Sequence, residues 1–124
     1  MSALETIEIK PLLPALNFER AQRFYQALGF ACEWRTKASA CLRLGKVAFI
    51  LHTDYMAVVA ANTVMVLEVV DVAAWWAHVH ELHLADVYDL TLSPVVDVGA
   101  GRREFTLTDP SGVLWRIGGS FSVA

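Results

Sequence analysis

The chain repeats itself with a spacing of 54 residues, and that repeat limits the folds open to it more than any other feature. Asn17 and Asp71 each follow a candidate strand and precede an amphipathic stretch. Both are residue types whose side chains accept from the free N–H groups at a helix start. In this register Phe18 matches Val72, Leu28 matches Leu82 and Phe30 matches Leu84. In the first stretch, residues 20–28, Ala21, Phe24, Tyr25 and Leu28 share one helical face, and Gly29 stops the helix. In the second, residues 72–83, Trp75, Val79 and Leu82 do the same. A tandem βαβββ duplication is the economical account.

The strands read by alternation and punctuation. Residues 5–13 carry the β-branched Ile7 and Ile9 and end among Pro11 and Pro14, which place the strand on an edge or at a chain crossing. Residues 30–36, 39–44 and 47–53 complete the first half, with Gly45-Lys46 as a tight hairpin turn. Residues 54–62 connect the halves without a strong pattern. In the second half, 63–70 is a strand, 87–96 a strand running into a loop, 103–108 a strand, and 113–118 the last strand after the turn Asp109-Pro110-Ser111-Gly112. The fold class is α+β: one domain over residues 1–124, with βαβββ modules at about 1–57 and 62–124. Each half has a helix-covered face and an open face, and the two open faces are expected to curl into a ligand-holding cup.

Composition narrows the function classes. The chain is 56% hydrophobic, more than a disordered chain shows and more than a small monomer easily hides, which predicts an oligomer. A net charge of −3 without a basic face argues against nucleic acid. The longest apolar stretch, residues 63–76, is interrupted by Glu68 and Asp71 and is no membrane span. Cys32 and Cys41 form no CxxC pair and read as reduced thiols of a cytoplasmic protein.

Strand alternation sends Val113, Trp115 and Ile117, with Phe105 and Leu107, to the core. Lys10, Leu12, Ala48, Ile50, His52, Val64, Val66, Glu68, Glu104, Thr106, Thr108, Leu114 and Arg116 face the cup. Its polar set is Lys10, His52, Glu68, Glu104 and Arg116, with Trp34 as a candidate aromatic wall. These charges either orient a polar ligand or close the cup through internal pairs such as Glu104 with Arg116. His52 is a general base only if a carboxylate holds it, and no catalytic residue is assigned. His78, His80 and His83 lack the four-residue spacing of a helical metal pair and read as a solvated face. Of Trp75 and Trp76, one is expected on the sheet and the other at a subunit contact or the cup rim.

Three stretches carry a resemblance: LPALNFERAQRFYQALGF (13–30), VLEVVDVAAWWAHVHEL (66–82) and GRREFTLTDPSGVLWRI (101–117). Together they resemble the glyoxalase/bleomycin resistance protein/dioxygenase (vicinal oxygen chelate) superfamily, the closing hairpin being the most specific. The metal enzymes of that superfamily place ligands seven residues before each helix cap and on the last strand of each half. The resemblance puts those positions on Lys10, Val64, Arg116 and either Ile50 or His52. Lysine, valine and arginine offer no lone pair to a divalent ion, so neither a metal nor another cofactor is expected. The resemblance is then to the non-metal, bleomycin-resistance-like branch. It implies a non-catalytic homodimer that binds an antibiotic or aromatic metabolite between subunits and exchanges its first strand at a proline, here Pro11. A divergent lyase, isomerase or dioxygenase is the alternative, and a regulatory module with a collapsed cup a third.

Overall fold

The computed structural model describes residues 3–121. The element order is β1 (Leu12–Pro14), α1 (Phe18–Leu28), β2 (Ala31–Arg35), β3 (Ser39–Leu44), β4 (Val47–His52), α2 (Ala57–Ala61), β5 (Val64–Glu68), α3 (Val72–Glu81), α4 (Leu84–Tyr88), β6 (Val96–Gly99), β7 (Arg102–Thr108) and β8 (Leu114–Ser120). The repeat is real: α1 and α3 begin 54 residues apart, at Phe18 and Val72. The Asn17 side chain accepts from the Arg20 N–H, as that of Asp71 does from the Ala74 N–H, both at 3.0 Å. Two mixed four-stranded sheets result, ordered β1-β4-β3-β2 and β5-β8-β7-β6. In each, the module's first strand runs parallel to its last.

The helix-covered sides of the two sheets share one core. The Phe49 ring from the first sheet meets the Trp115 ring from the second at 5.6 Å, and Tyr25 of α1 lies against both. Phe30 and Leu84, a repeat-matched pair, are both buried. The closing turn of the second module also clasps the first. Ser111 Oγ accepts from the Leu16 N–H at 3.0 Å, and the Ser111 carbonyl accepts from the Tyr55 hydroxyl at 3.0 Å.

This packing corrects the expectation of a single cup within one chain. Phe49 and Trp115 point into the shared core, so by alternation Ala48 and Ile50, like Leu114 and Arg116, lie on the opposite sides of their sheets. The two open faces therefore turn away from the common core, and the sheets do not close on each other.

Other differences are local. Residues 5–11 form no strand, and β1 holds only three residues. Pro11 has no N–H for the ladder, and its carbonyl makes the last bond, from Ile50 N at 2.8 Å. As the prolines implied, β1 is an edge. The 54–62 connector contains α2, and the stretch from residue 84 folds first as α4 between two left-handed residues, His83 and Asp89. The strand expected at 87–96 begins only at Val96. Leu82, matched to buried Leu28, ends α3 at 39% exposure.

Candidate functional site

The open face of the first sheet is built around the row Leu12–Ile50–Cys41–Trp34. Trp34 reaches it through a bulge. Cys32 pairs with Leu42 and Trp34 with Cys41, so the extra residue Glu33 puts Cys32 toward the core and Trp34 on the open side. Trp34 is 42% exposed and Leu12 61%. The Cys41 thiol beneath is pushed up by burial, with the Glu33 carboxylate adding to the effect. Both cysteines are free thiols.

Arg43 organises the charge on this face. Its guanidinium reaches Glu8 at 2.6 Å and Glu33 at 2.8 Å, while Lys10 Nζ lies 3.1 Å from Glu8. The two carboxyls are held below the usual range, in each case chiefly by the hydrogen bond from Arg43. Lys10 is thus tied to a neighbour through Glu8. His52 closes the far end of β4, beside Pro14 and Ser39. Its Nδ1 accepts from the Asp54 N–H at 3.2 Å, so that nitrogen carries a lone pair and the ring partner is backbone rather than a carboxylate.

The open face of the second sheet carries Val64, Val66, Glu68, Thr106, Glu104, Arg102, Leu114 and Arg116. Glu104 accepts from Arg116 Nε and Nη2, both at 3.0 Å, which is the internal pair the sequence suggested. Glu68 takes the same two-pronged grip from Arg102, at 2.9 and 2.7 Å. Arg102 was not among the residues singled out from the sequence. Its position two residues before Glu104 on one strand was the available signal.

The repeat also settles the one ambiguous position of the metal set. Leu12 pairs with Ile50 as Val66 pairs with Arg116, so Ile50, not His52, is the counterpart of Arg116. Lys10, Val64, Ile50 and Arg116 do not fit a divalent ion. Among the described residues no three His, Cys, Asp or Glu side chains stand close enough to hold one. The helix histidines form the solvent-facing side expected of them, His78, His80 and His83 all being exposed. His78 Nε2 lies 2.8 Å from the Leu28 carbonyl, and the His80 ring stacks 4.7 Å from that of Trp76. Neither tryptophan stands on an open face. Trp75 packs on the core, and Trp76 also donates to the Ser93 carbonyl at 2.9 Å.

A cleft of about 250 Å³ lies at the seam between the sheets. There β1 stops short, leaving the start of β4 and the edge strand β5 facing it. Pro11, Ala48, Met65 and Val66 line it, with Phe49 and Trp115 among its walls.

No family model matches the chain, and no curated protein matches it in sequence. Solved structures do match in fold. The bleomycin-binding protein of Streptomyces verticillus, solved with copper(II)-bleomycin, superposes with a TM-score of 0.78 at 24% identity, over 96% of this chain and 99% of the other. The bleomycin resistance determinant encoded on transposon Tn5 gives 0.71 at 18% identity, over 94% and 100%. A lactoylglutathione lyase from Agrobacterium tumefaciens gives 0.70 at 13% identity, over 93% and 94%. The chain has the fold of the bleomycin-binding and glyoxalase/bleomycin resistance/dioxygenase proteins.

Proposed function

We propose that this chain is a small-molecule binding protein of the bleomycin-resistance type, whose ligand is an antibiotic or an aromatic metabolite and whose working unit is a cytoplasmic homodimer. The observation that carries the reading is the apolar character of both open faces. Leu12, Trp34, Val64 and Val66 are each at least 42% exposed on sheets whose other side is a packed core. Exposed apolar surface on this scale marks an interaction site. The open faces of one chain point apart, so a concave site needs a second copy to set one face opposite another. Ile7 and Ile9, 97% and 92% exposed, and the early end of β1 at Pro11 fit an arm that crosses to that copy. In this reading Trp34 and the valines hold the ligand, while Lys10, His52, Glu68, Glu104 and Arg116 frame it. No helix of the described residues is long and apolar enough to cross a membrane.

The test is a thermal-shift screen against a panel of antibiotics and aromatic metabolites. A ligand at one hundred times its Kd stabilises the fold by about 2.7 kcal/mol, a shift of several degrees for a chain this size. The expected result is a saturable rise with one chemical class. A panel that leaves the melting temperature unmoved, on protein with the mass of a single chain, overturns the reading.

A further inference from the structure

We infer that the ligand of the open faces is a flat, net-neutral aromatic molecule, not a charged one; the inference rests on the binding role proposed above. It follows from the way the charges on the two faces cancel. The first face carries the chain Lys10–Glu8–Arg43–Glu33, two bases against two acids. The second carries Arg102–Glu68 and Arg116–Glu104, again two against two.

The pairs are also satisfied geometrically. Both arginines of the second face grip their carboxylates with two nitrogens each, the arrangement in which guanidinium and carboxylate match best. Arg43 is shared by two acids, which raise its pKa above the ordinary value. Among the groups in these pairs, a cationic ligand finds no carboxylate without its own base, and an anionic ligand no base without its own acid. Each must either break a pair or lose its hydration without compensation, and both routes cost binding energy. A neutral molecule meets neither cost.

What the faces offer instead is Trp34 and Leu12 on one and Val64, Val66 and Val96 on the other. An exposed indole beside aliphatic side chains suits a flat ring system held by stacking and apolar contact. The Trp34 indole reaches the open side only because of the bulge at Glu33, and that same glutamate holds Arg43. One inserted residue therefore supplies the aromatic wall and completes the neutralisation.

The experiment titrates the full chain with three probes: the neutral dye Nile red, cationic bleomycin and the anionic dye 1-anilinonaphthalene-8-sulfonate. Nile red is expected to bind at least about tenfold more tightly than either charged probe, with an affinity that changes less than about twofold when salt is raised to screen surface charge. Trp34→Ala is expected to lower it at least about tenfold. Arg102→Gln, which leaves the Glu68 carboxylate without its base, is expected to raise bleomycin affinity several-fold and so to narrow the preference for Nile red. Preference for either charged probe, falling with salt, overturns the inference and leaves the binding role standing. An Arg102→Gln protein no better at binding bleomycin also overturns it. Failure of all three probes together with the antibiotic panel removes the binding role as well.

Discussion

The Tyr25 hydroxyl donates to Asp109 Oδ2 at 2.5 Å, joining the first helix to the last hairpin across 84 residues of chain. Both groups are buried. Asp109 Oδ1 accepts from the Ser111 and Val113 N–H groups at 2.8 and 2.9 Å, and Trp115 Nε1 donates to the Tyr25 oxygen at 2.9 Å. One carboxyl thus shapes the turn of the second module and anchors it to the first. Tyr25→Phe keeps the ring packing but strips Asp109 and Trp115 of a partner, and is expected to cost about 1–2 kcal/mol. Asp109→Ala leaves the hydroxyl and two buried N–H groups unmet and is expected to cost about 3 kcal/mol or more. Urea unfolding measures both.

The same carboxyl makes a pH prediction. Burial pushes the Asp109 carboxyl above its ordinary value of 3.8, against the opposing pull of the hydrogen bonds from Tyr25 and the turn N–H groups. A group with a raised folded pKa binds its proton more tightly folded than unfolded. Its contribution is therefore full below the ordinary value and is lost as pH rises toward the folded one. Melting curves of the wild type and Asp109→Asn across that window should show the wild type losing ground as pH rises. A difference constant with pH would mean that Asp109 titrates alike in both states.

Gly118 and Gly119 make a separate demand on the last strand. A Cβ on Gly119 would fall on the Val69 carbonyl oxygen, and one on Gly118 would stand 2.8 Å from both Arg103 O and Glu104 Cβ. The Val69 N–H also bonds the Gly118 carbonyl at 2.9 Å, so the chain between β5 and α3 lies directly against β8. That backbone cannot retreat without breaking its bond, and Gly119→Ala is expected to destabilise by about 2–3 kcal/mol in the same unfolding assay.

Where local chemistry decides an element, the sequence was enough to find it. The capped starts of α1 and α3, the Gly45 hairpin and the alternation of β7 and β8 all follow from residue type and spacing. The elements that escaped are held by tertiary contacts. The five residues of α2 are alanine and valine with no side-chain cap, and α4 sits between two left-handed residues. Trp34 stands on the open side, away from Cys32, because a bulge shifts the phase of alternation by one residue, and periodicity does not report a bulge. The open faces were legible side chain by side chain, but the partners of Glu68 and Lys10 were not, since cross-strand register chooses them. Which sides of two sheets pack together is also invisible to strand patterning, and so the single cup was expected.

The exposed arm bears on oligomeric state. Glu8 and Lys10 are engaged in the charge chain with Arg43, while Ile7 and Ile9 stand almost wholly exposed. An extended segment with one engaged side and one apolar side is suited to a second copy. Light scattering is expected to give the wild type the mass of two chains. Ile7→Asp with Ile9→Asp is expected to give one chain with an unchanged circular dichroism spectrum, because neither side chain belongs to the core of its own subunit. A wild-type mass of one chain would remove the dimer.

The substituted metal positions make the last prediction. A divalent ion at a hundredfold excess over its Kd would raise stability by about 2.7 kcal/mol, several degrees for a chain of this length. The four positions that would have to supply donors hold an amine tied to Glu8, two aliphatic side chains and a guanidinium tied to Glu104. To bind there an ion would have to strip Glu8 and Glu104 from their bases and still find further lone pairs. Zinc, nickel or manganese is therefore expected to move the melting temperature by less than about one degree, and a chelator to leave it where it was. Protein purified without chelator should carry less than a tenth of an equivalent of any of them by elemental analysis. A stoichiometric metal, or a chelator-sensitive melting temperature, would show that other residues of the chain, or of a second copy, complete a site that these four positions do not.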